Sequence, residues 1–315
     1  MKIIFPEPIG MDTSSLEKLQ QELHSAGHTM EFFKNKPSND IELLNRIKNA
    51  EIICLSNIPL RREVLSNCKE LKFLNIAFTG TDHIDLNYCK ENNIKVSNAA
   101  GYSTEAVAEL CVGASISLYR NFLKNHELTK SLEGVSKSPI GFELNAKTVG
   151  IVGTGKIGKR TAEIFKAFNC KLLGYNRTEK YPEIFKYVDL ETLFRNSDII
   201  SIHLPLTNET KGLINASLLS KMKKKSILIN TARGNIIDYQ YLVEMLNSEK
   251  ISGAAIDVYE YEPPLQSDHP LLSAKNILLL PHIGYYTQEA MNKRFDIVKN
   301  NLFCYLNGKT INSIV

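Results

Sequence analysis

The sequence predicts an α/β protein of two domains, each built on a parallel sheet. Two observations support this prediction. Short apolar runs alternate with amphipathic segments of helical spacing, and they fall into two successive sets along the chain. The chain also has 315 residues, which is more than one hydrophobic core normally serves. Nearly unbroken apolar strands need helices on both faces, which is typical of parallel sheets.

The first set of strands and helices lies before residue 99 and predicts an open parallel sheet of about five strands. Between the first two strands, Ser14 and Glu17 fit a capping box, which predicts a helix there. Three leucines follow the same helical spacing, which are Leu16, Leu19 and Leu23. The predicted strands are Lys2–Phe5, Thr29–Phe33, Glu51–Leu55, Lys72–Ile76 and Lys95–Asn98.

A long amphipathic stretch, Thr104–Arg120, separates the two sets, and a polar, irregular segment follows it over residues 121–145. Six further apolar runs predict a second parallel sheet with helices on both faces. The last segment, Thr287–Val315, has helical spacing but is too short for a third domain, so we expect it to pack on the first. The six strands are Thr148–Val152, Lys171–Tyr175, Ile199–His203, Ser226–Asn230, Gly253–Asp257 and Asn276–Leu280.

The composition is that of an ordinary globular protein and argues against several classes. Lys and Arg number 38 against 34 Asp and Glu, and a net charge of +4 is too small to indicate nucleic acid or an anionic membrane. The six cysteines form no Cys-x-x-Cys pair and no zinc-site spacing, so we expect reduced thiols and no metal. The N-terminus lacks a signal-peptide pattern, and no apolar stretch approaches the roughly 18 residues that span a bilayer. We expect a cytoplasmic protein.

A glycine motif, GTGKIG, spans Gly153–Gly158 directly after the predicted strand Thr148–Val152. Such a motif between a strand and a helix is typical of a Rossmann-type dinucleotide site. Gly153 would allow the tight turn, Gly155 the approach of a pyrophosphate, and Gly158 the close packing of the helix. The N–H groups at the start of the helix would then bind the phosphate charge. A glycine turn without a ligand is the alternative.

The residue that reads the ribose is expected about 20 residues beyond the glycines, at the end of the next strand. Asn176 lies 23 residues after Gly153, and Arg177 and Thr178 follow it. An aspartate there would bind both ribose hydroxyls and repel a 2′-phosphate, whereas the neutral Asn176 tolerates one. We therefore expect NAD(P) as the cofactor, with NADP favoured over NAD. The alternative is that Asn176 simply binds the 2′-hydroxyl of NAD.

Three side chains suited to acid–base chemistry follow predicted strands of the second sheet, at the edge where such sheets bind ligands. A carboxylate favours the imidazolium form and fixes the ring, so His282 could protonate a carbonyl while Glu262 holds it charged. Arg233 could bind a carboxylate through two parallel hydrogen bonds. Each residue alone would more often be an ordinary loop residue, so the hypothesis depends on all three converging. His203 is expected to line the cofactor channel, and His269 to lie at the surface.

Together these motifs resemble those of the D-isomer-specific 2-hydroxyacid dehydrogenases over nearly the whole chain. That family includes phosphoglycerate, glycerate (hydroxypyruvate), glyoxylate and D-lactate dehydrogenases. The resemblance implies an NAD(P)-dependent enzyme that transfers a hydride between the cofactor and a small 2-keto or 2-hydroxy acid. It rests on FTGTDHIDL, NAAGYSTEAVAEL, ELNAKTVGIVGTGKIG, HLPLTNETKGLIN, ILINTARGNIID, GAAIDVYEYEPP, and HPLL with NILLLPHIG.

The resemblance also implies a role for each matching residue. Arg233 would bind the substrate, Glu262 would orient the histidine, and His282 would donate the proton. Asp257 would bind the carboxamide and orient the nicotinamide ring. The pyrophosphate, adenosine and nicotinamide-ribose contacts would be, in turn, Lys156 and Ile157; Leu204, Pro205 and Thr210; and Thr231 and Ala232. The substrate loops would be Thr79 and Gly80, whose N–H groups hold the carboxylate, with Ser56 and Asn57 on the facing loop.

The family architecture implies a nucleotide-binding domain over residues 100–285, inserted into a flavodoxin-like substrate domain that residues 1–99 and 286–315 build together. It further implies a homodimer formed through the nucleotide-binding domain, with the helix at Thr104–Arg120 taking part.

The choice of substrate stays open between several acids. Leu55 lies where phosphoglycerate dehydrogenases often carry an arginine, which favours hydroxypyruvate, glyoxylate or a similar small keto acid. Arg61 and Arg62 lie close by and keep phosphoglycerate as the alternative. A formate dehydrogenase of the same fold would pair its histidine with glutamine, so Glu262 argues against it. A dinucleotide-sensing protein that resembles corepressors is the alternative from another class.

Overall fold

The computed structural model describes residues 1–315 and divides into two compact units. One unit comprises Met1–Ser103 together with Tyr286–Val315, and we call it the terminal unit. The other comprises Thr104–Tyr285, and we call it the central unit. The sequence places the corresponding boundaries after residues 99 and 285. The terminal unit is therefore assembled from both chain ends, with the central unit inserted between them.

The terminal unit is built on a five-stranded sheet in the spatial order β2-β1-β3-β4-β5, in which every pair is parallel. Its middle strands are fully buried because apolar side chains point to both faces, which the flanking helices cover. The strands are β1 (Lys2–Phe5), β2 (Thr29–Phe32), β3 (Ile52–Leu55), β4 (Phe73–Ile76) and β5 (Lys95–Asn98). The helices are α1 (Thr13–Ser25), α2 (Asp40–Ile47), α3 (Arg62–Leu65), α4 (Leu86–Glu91) and a C-terminal helix (Gln288–Leu306).

The first helix begins two residues earlier than the predicted capping box implies, at Thr13 and not at Ser15. Asp12 is the N-cap, and its carboxylate accepts the backbone N–H of Ser15 at 2.9 Å. The capping box predicted at Ser14 and Glu17 is wrong, because the Ser14 hydroxyl donates to Asp12 at 2.6 Å instead. A carboxylate accepts several donors at a helix N-terminus, so Asp12 replaces the weaker hydroxyl as the cap. The predicted core leucines of this helix are buried, and they are Leu16, Leu19 and Leu23.

The C-terminal helix is tied to the middle of this sheet by buried amides. The side-chain amide of Asn75, on β4, donates to the carbonyl of Val298 at 2.8 Å. Asn301 donates to the Asn75 side-chain oxygen at 3.1 Å, so the two asparagines satisfy each other. These contacts place the C-terminal helix in the terminal unit.

The central unit contains a seven-stranded parallel sheet in the order β12-β11-β10-β9-β6-β7-β8. The chain order reverses between β6 and β9, and this switch point is where such sheets bind ligands. The predicted second parallel sheet, with its Rossmann-type order, is confirmed. The strands are β6 (Thr148–Val152), β7 (Lys171–Tyr175), β8 (Lys186–Tyr187), β9 (Ile199–Ile202), β10 (Ile227–Asn230), β11 (Gly253–Ile256) and β12 (Ile277–Leu279). The helices are α5 (Thr104–Tyr119), α6 (Phe122–Lys130), α7 (Lys156–Ala167), α8 (Leu190–Asn196), α9 (Ala216–Leu219) and α10 (Tyr239–Asn247).

The segment after α5 differs from the irregular loop that its polar composition predicts. It forms α6 and then a single 3-10 turn at Val135–Lys137. No residue of α6 is fully buried, and Leu128 is only half-buried, so this helix has little packing within the chain. Propensity and local hydrogen bonds alone do not hold so short a helix in water.

Three further observations concern the classes of protein considered above. None of the helices combines the length and the apolar character needed to cross a membrane. All six cysteines carry unpaired thiols, and five of them are buried. The structure brings together no group of three or more His, Cys, Asp or Glu side chains that could hold a metal ion.

Candidate active site

The glycine motif forms the turn from β6 into α7, and two of its glycines are required by space. Gly153 has φ +99°, and a Cβ there would lie 2.7 Å from the backbone carbonyl carbon of His203. A Cβ on Gly158 would lie 2.1 Å from the carbonyl oxygen of Gly153. Gly155 differs, because a Cβ there would meet nothing within 4 Å. It is the N-cap of α7 and is exposed, so its lack of a side chain leaves the helix N-terminus open to an anion.

A hydrogen bond that the sequence does not reveal connects this turn to the edge strand β8. The hydroxyl of Thr154, which is fully buried, lies 2.9 Å from the phenolic oxygen of Tyr187 on β8. The predicted pyrophosphate contacts flank the turn, with Lys156 exposed and Ile157 half-buried in the first turn of α7. The hydrogen bond to Tyr187 therefore holds the turn against the sheet, while Gly155 and Lys156 remain exposed.

The predicted ribose-reading residue is held by its own loop. The side-chain amide of Asn176 donates to the carbonyl of Thr178 at 2.7 Å, while Arg177 is exposed. A hydrogen bond from Thr207 and the charge of Arg177 lower the pKa of Glu209. The surface beyond β7 therefore carries a cation and a carboxylate whose charges interact.

The predicted adenosine-side residues follow β9 and form a closed loop. The hydroxyl of Thr210 donates to the carbonyl of Pro205 at 2.6 Å and accepts the N–H of Thr207 at 2.8 Å. Leu204 is half-buried and Pro205 exposed. These hydrogen bonds within the loop fix its shape without a ligand. The start of the loop, at His203 and Leu204, lies against Gly153 of the glycine turn.

A buried asparagine that the sequence analysis missed shapes the loop after β10. Asn230 accepts the N–H of Ala232 at 3.0 Å and donates to the carbonyl of Arg233 at 3.1 Å. Its amide also donates to the phenolic oxygen of Tyr239 at 2.9 Å. Because the loop backbone is bonded on both sides of Ala232, its path is fixed. An asparagine that ends an apolar strand gives no sequence signal of this role.

The loop after β10 also lies tightly against the loop after β11. A Cβ on Gly234 would lie 2.0 Å from the backbone carbonyl carbon of Tyr259, so only glycine fits there. The half-buried guanidinium of Arg233 donates to the carbonyl of Ala232 at 2.7 Å. Thr231, also half-buried, lies 3.3 Å from the thiol of Cys111 on α5. The predicted substrate-binding arginine therefore lies in a closely packed, hydrogen-bonded loop at the carboxyl edge of the sheet.

The predicted acid–base pair is formed. Nδ1 of His282 lies 2.9 Å from each carboxylate oxygen of Glu262. The Tyr285 ring meets the imidazole edge-on, with 5.5 Å between ring centroids. The histidine follows β12 and the glutamate follows β11, which is the strand between β12 and β10. Arg233, Glu262 and His282 thus follow three adjacent strands at one sheet edge.

The backbone at His282 is left-handed, with φ +58°. For a residue with a side chain this conformation costs about 1–2 kcal/mol. Asp257, which is 2% exposed, offsets that cost, since its two carboxylate oxygens accept the N–H groups of Ile283 and Gly284, each at 2.7 Å. Burial raises the pKa of Asp257, while these two backbone hydrogen bonds favour its charged form. Asp257 therefore clamps the turn that carries the imidazole.

Two other histidines of the unit, His203 and His269, lie against polar side chains of the unit. His203 shares a 2.8 Å hydrogen bond with Ser201, and burial lowers its pKa to about 3, so it is neutral at physiological pH. His269 was expected at the surface, and that expectation is wrong. It is buried, and Nε2 lies 3.1 Å from Glu260. The three residues before it are polar, and the packing of Tyr259 and Tyr261 around its ring encloses it.

The predicted substrate loops follow β3 and β4 of the terminal unit. Thr79 is exposed and Gly80 half-buried, and the Thr79 carbonyl accepts the side-chain amide of Asn98 at 2.7 Å. Ser56 is buried and Asn57 half-buried. Both loops lie at the carboxyl edge of their sheet, where a parallel sheet presents its ligand-binding groups.

A glycine turn at the switch point, with a histidine–carboxylate pair at the same sheet edge, defines a dinucleotide-dependent oxidoreductase. Comparison with known proteins agrees. The NAD-binding domain of the D-isomer specific 2-hydroxyacid dehydrogenases matches residues 112–284. The chain belongs to the D-isomer-specific 2-hydroxyacid dehydrogenase family. It is therefore a hydride-transferring oxidoreductase with a nicotinamide cofactor, which confirms the prediction from sequence.

Three similar proteins illustrate the range of the family. A hydroxypyruvate reductase of Blautia hydrogenotrophica is 32% identical over 302 residues, which are 93% of this chain and 93% of that protein. A glyoxylate reductase of Thermofilum pendens is 37% identical over 289 residues, covering 88% of this chain and 84% of that protein. The structure of an acyclic imino acid reductase in complex with NADPH and D-Arg matches over the whole of both chains, with 32% identity and a TM-score of 0.92.

Proposed function

We propose that this enzyme reduces a small 2-keto acid, with hydroxypyruvate or glyoxylate as the favoured substrate, and that His282 supplies the proton. The observation that carries this proposal is the His282–Glu262 pair. Because Nδ1 faces the carboxylate at 2.9 Å, Nε2 is the ring atom left to face a substrate. A reduction of a ketone needs one proton at the carbonyl oxygen, and this geometry supplies it.

The residues of the glycine turn fit a dinucleotide. Gly155 leaves the N-terminus of α7 open, and Gly153 and Gly158 let the backbone turn without a clash. The N–H groups there would bind the pyrophosphate, with Lys156 and Ile157 beside them. A reduced nicotinamide, when bound, supplies the hydride to the keto carbon. We propose that Asp257, besides clamping the His282 turn, accepts from the carboxamide with its remaining lone pairs.

In the proposed reaction Arg233 binds the substrate carboxylate or carbonyl with its fork of N–H donors. As the keto carbon gains the hydride, negative charge develops on the carbonyl oxygen. The N–H at Nε2 of His282 donates its proton to that oxygen, and the neutral imidazole keeps its other proton at Nδ1. Glu262 accepts that second N–H, so the ring stays in one tautomer and one orientation. Oxidation of the hydroxy acid runs the same steps in reverse.

Phosphoglycerate is the less favoured substrate because Arg62, one of the two nearby arginines, is already paired with carboxylates. Arg62 pairs with Asp85 at 3.5 Å and with Glu91 at 2.9 Å. A substrate phosphate would have to compete with these two carboxylates. Leu55, at the end of β3, is fully buried and offers no charge.

We propose that the enzyme accepts NADPH and prefers it over NADH. The neutral Asn176 lies at the ribose position, where an acidic residue would favour NADH. Arg177 follows it and is exposed. The negative charge of Glu209, which interacts with that of Arg177, limits the preference, because a 2′-phosphate would approach both. Steady-state kinetics with both cofactors decide this point, and a large preference for NADH would contradict it.

We also propose a homodimer that forms through the central unit. Five large apolar side chains are exposed between residues 122 and 140, and α6 buries none of its residues within the chain. They are Phe122 (54% exposed), Leu123 (57%), Leu132 (96%), Val135 (90%) and Ile140 (95%). So much exposed apolar surface in one segment is typical of an interface.

The oligomeric state tests this proposal directly. Sedimentation should give the mass of two chains, and Leu123→Glu should shift it toward one chain. Ile41→Glu is the matched control, since Ile41 is 74% exposed on α2 of the terminal unit. A native monomer, or an equal effect of both variants, would contradict the dimer.

The unpaired thiols fit a reducing compartment, and we propose the cytoplasm as the place of action. Fractionation of the source cells, with the protein followed by antibody, tests this assignment. Recovery outside the cytoplasm would contradict it.

A panel of keto acids, each offered with NADH and with NADPH, tests the proposed reaction through the loss of reduced-nicotinamide absorbance. We expect turnover of hydroxypyruvate and glyoxylate, and less turnover of a phosphorylated keto acid. If no keto acid is reduced while the cofactors still bind, the protein would instead sense the dinucleotide.

A further inference from the structure

A buried carboxylate lies beneath one of the proposed substrate loops. Glu7 follows β1, and its residue is 1% exposed although it stands between two prolines in the sequence. Its Oε1 accepts three consecutive backbone N–H groups, from Ser56 at 2.9 Å, Asn57 at 2.9 Å and Ile58 at 3.0 Å. Three consecutive N–H groups that converge on one oxygen form an anion-binding concavity in the backbone, and here the protein supplies the anion itself.

The second oxygen of this carboxylate has different surroundings. Oε2 of Glu7 is buried and has no hydrogen-bond partner. The charge that faces it is Lys36, in the segment after β2, whose Nζ lies 3.9 Å away. Burial raises the pKa of Glu7, whereas the three N–H groups and Lys36 favour the charged form.

The same lysine determines how Asn57 is oriented. Nζ of Lys36 donates to Oδ1 of Asn57 at 2.9 Å. An ammonium group has only donors, so the amide must turn its oxygen toward Lys36. The NH₂ group of Asn57 then points away from the lysine as a pair of donors. Lys36 is itself 62% exposed, so its role in the core of the unit is small.

These contacts have a consequence for recognition by the loop. The backbone N–H groups of Ser56, Asn57 and Ile58 are occupied by Glu7 and are not directed at a ligand. The donors that these three residues offer to a substrate can therefore come only from side chains, and the amide of Asn57 presents two. A donor group selects an oxygen acceptor, such as the carboxylate or the hydroxyl of a hydroxy or keto acid.

We propose that Glu7 and Lys36 are positioning residues for substrate binding: Glu7 holds the backbone of the Ser56–Ile58 loop, and Lys36 turns the Asn57 amide so that its N–H groups meet the oxygen atoms of the acid. This inference rests on the proposed function, in which Ser56 and Asn57 contact the substrate. It adds two residues that touch neither substrate nor cofactor but set the affinity for the acid.

The test uses Lys36→Met, which removes the cation but keeps an apolar stem of similar length. Because the residue is exposed, folding should persist, and a circular dichroism melt checks this. We expect the KM for hydroxypyruvate or glyoxylate to rise by about fivefold to tenfold, the loss of one charge-assisted contact to the amide, with kcat and the KM for NADPH within about twofold of native. Lys36→Arg retains the donor and should restore the native KM.

Two further variants complete the experiment. Lys34→Met changes an exposed lysine of the same segment and is the matched control, so its kinetics should equal those of the native enzyme. Glu7→Gln keeps an oxygen for the three N–H groups but loses the charge and places an NH₂ near Lys36. We expect it to raise the KM for the acid by about threefold, again without a change in the KM for NADPH.

The outcomes separate this inference from the proposed function. If the native enzyme reduces keto acids but Lys36→Met and Glu7→Gln both leave the KM for the acid within twofold, the positioning role is wrong and the reaction stands. Equal increases in the KM for the acid and for NADPH would also overturn it, since they indicate general disturbance. If the native enzyme reduces no keto acid, the reaction fails and the inference fails with it.

Discussion

At the carboxyl edge of each sheet a buried carboxylate holds a loop by its backbone N–H groups, but the geometry differs between the two edges. In the central unit, Asp257 uses one oxygen for the N–H of Ile283 and the other for that of Gly284. In the terminal unit, Glu7 gathers three N–H groups on one oxygen and leaves the other facing Lys36. In both cases a buried carboxylate at one strand end fixes the loop after another strand.

The difference between the two clamps teaches what each edge is built to do. Asp257 binds one N–H with each oxygen, and the turn that it holds carries the strained backbone and the imidazole of His282. That edge must fix a proton donor within a fraction of an ångström. Glu7 holds a loop that presents Asn57, whose amide needs only a defined orientation. The first clamp should therefore govern turnover, and the second should govern affinity for the acid.

The largest expected effect distinguishes the edge that does chemistry from the edge that binds. His282→Ala should lower kcat by about two to four orders of magnitude, because the developing oxyanion loses its proton donor. Cofactor binding, followed by quenching or energy transfer of NADPH fluorescence, should persist. Near-native kcat would remove His282 from the mechanism, and loss of NADPH binding would point to a folding defect instead.

A second prediction concerns the close packing of the glycine turn in the central unit. Gly153→Ala must place a Cβ 2.7 Å from the His203 backbone at φ +99°, so we expect the dissociation constant for NADPH to rise by about tenfold or more and the stability to fall by about 1–2 kcal/mol. The measurements are a cofactor titration and a denaturant melt. Gly155→Ala is the matched control for stability, since its Cβ meets nothing within 4 Å. Equal stability losses for both variants would contradict the steric argument.

The third prediction compares the two clamps by the same change from acid to amide. Asp257→Asn replaces one of two engaged oxygens with a donor that faces a backbone N–H, so kcat should fall by about tenfold to a hundredfold. Glu7→Gln keeps its shared acceptor, so kcat should stay within about twofold. Steady-state kinetics measure both. An equal loss of kcat in the two variants would erase the distinction between the edges.

The smallest effect is the pH dependence of stability that arises from Glu7. Burial raises the pKa of Glu7 in the folded state above its ordinary value of 4.5. In the pH interval between 4.5 and that raised pKa, the folded state binds more protons than the unfolded state. The free energy of unfolding should therefore fall as the pH rises through that interval. Denaturant melts at several pH values, compared between the native protein and Glu7→Gln, isolate this contribution. A native curve parallel to that of the variant would show that Glu7 keeps its ordinary pKa.

Local patterns carried much of the fold. Apolar runs of four or five residues predicted eleven of the twelve strands, and only the two-residue β8 at Lys186–Tyr187 was missed because it is too short to show a pattern. The glycine motif and the three strand-end residues were equally visible, since a parallel sheet brings strand ends to one edge. The N-cap of α1 was not predicted, because several polar residues there could bond the backbone and only the structure shows that Asp12 does. The helix α6 was not predicted either, because its composition is polar and it has no buried face to give a pattern.

The sequence by itself determined the fold class, the family, the glycine turn and the pairing of His282 with Glu262, because these follow from spacing along strands and helices. Only the tertiary structure showed that Asp257, Asn230 and Glu7 hold the loops. Glu7 lies 49 to 51 residues from the N–H groups that it accepts, in a proline-flanked segment that looks like an exposed turn. Burial of a charge is decided by what packs around it and not by its neighbours in sequence, and it persists here because backbone dipoles and Lys36 compensate it.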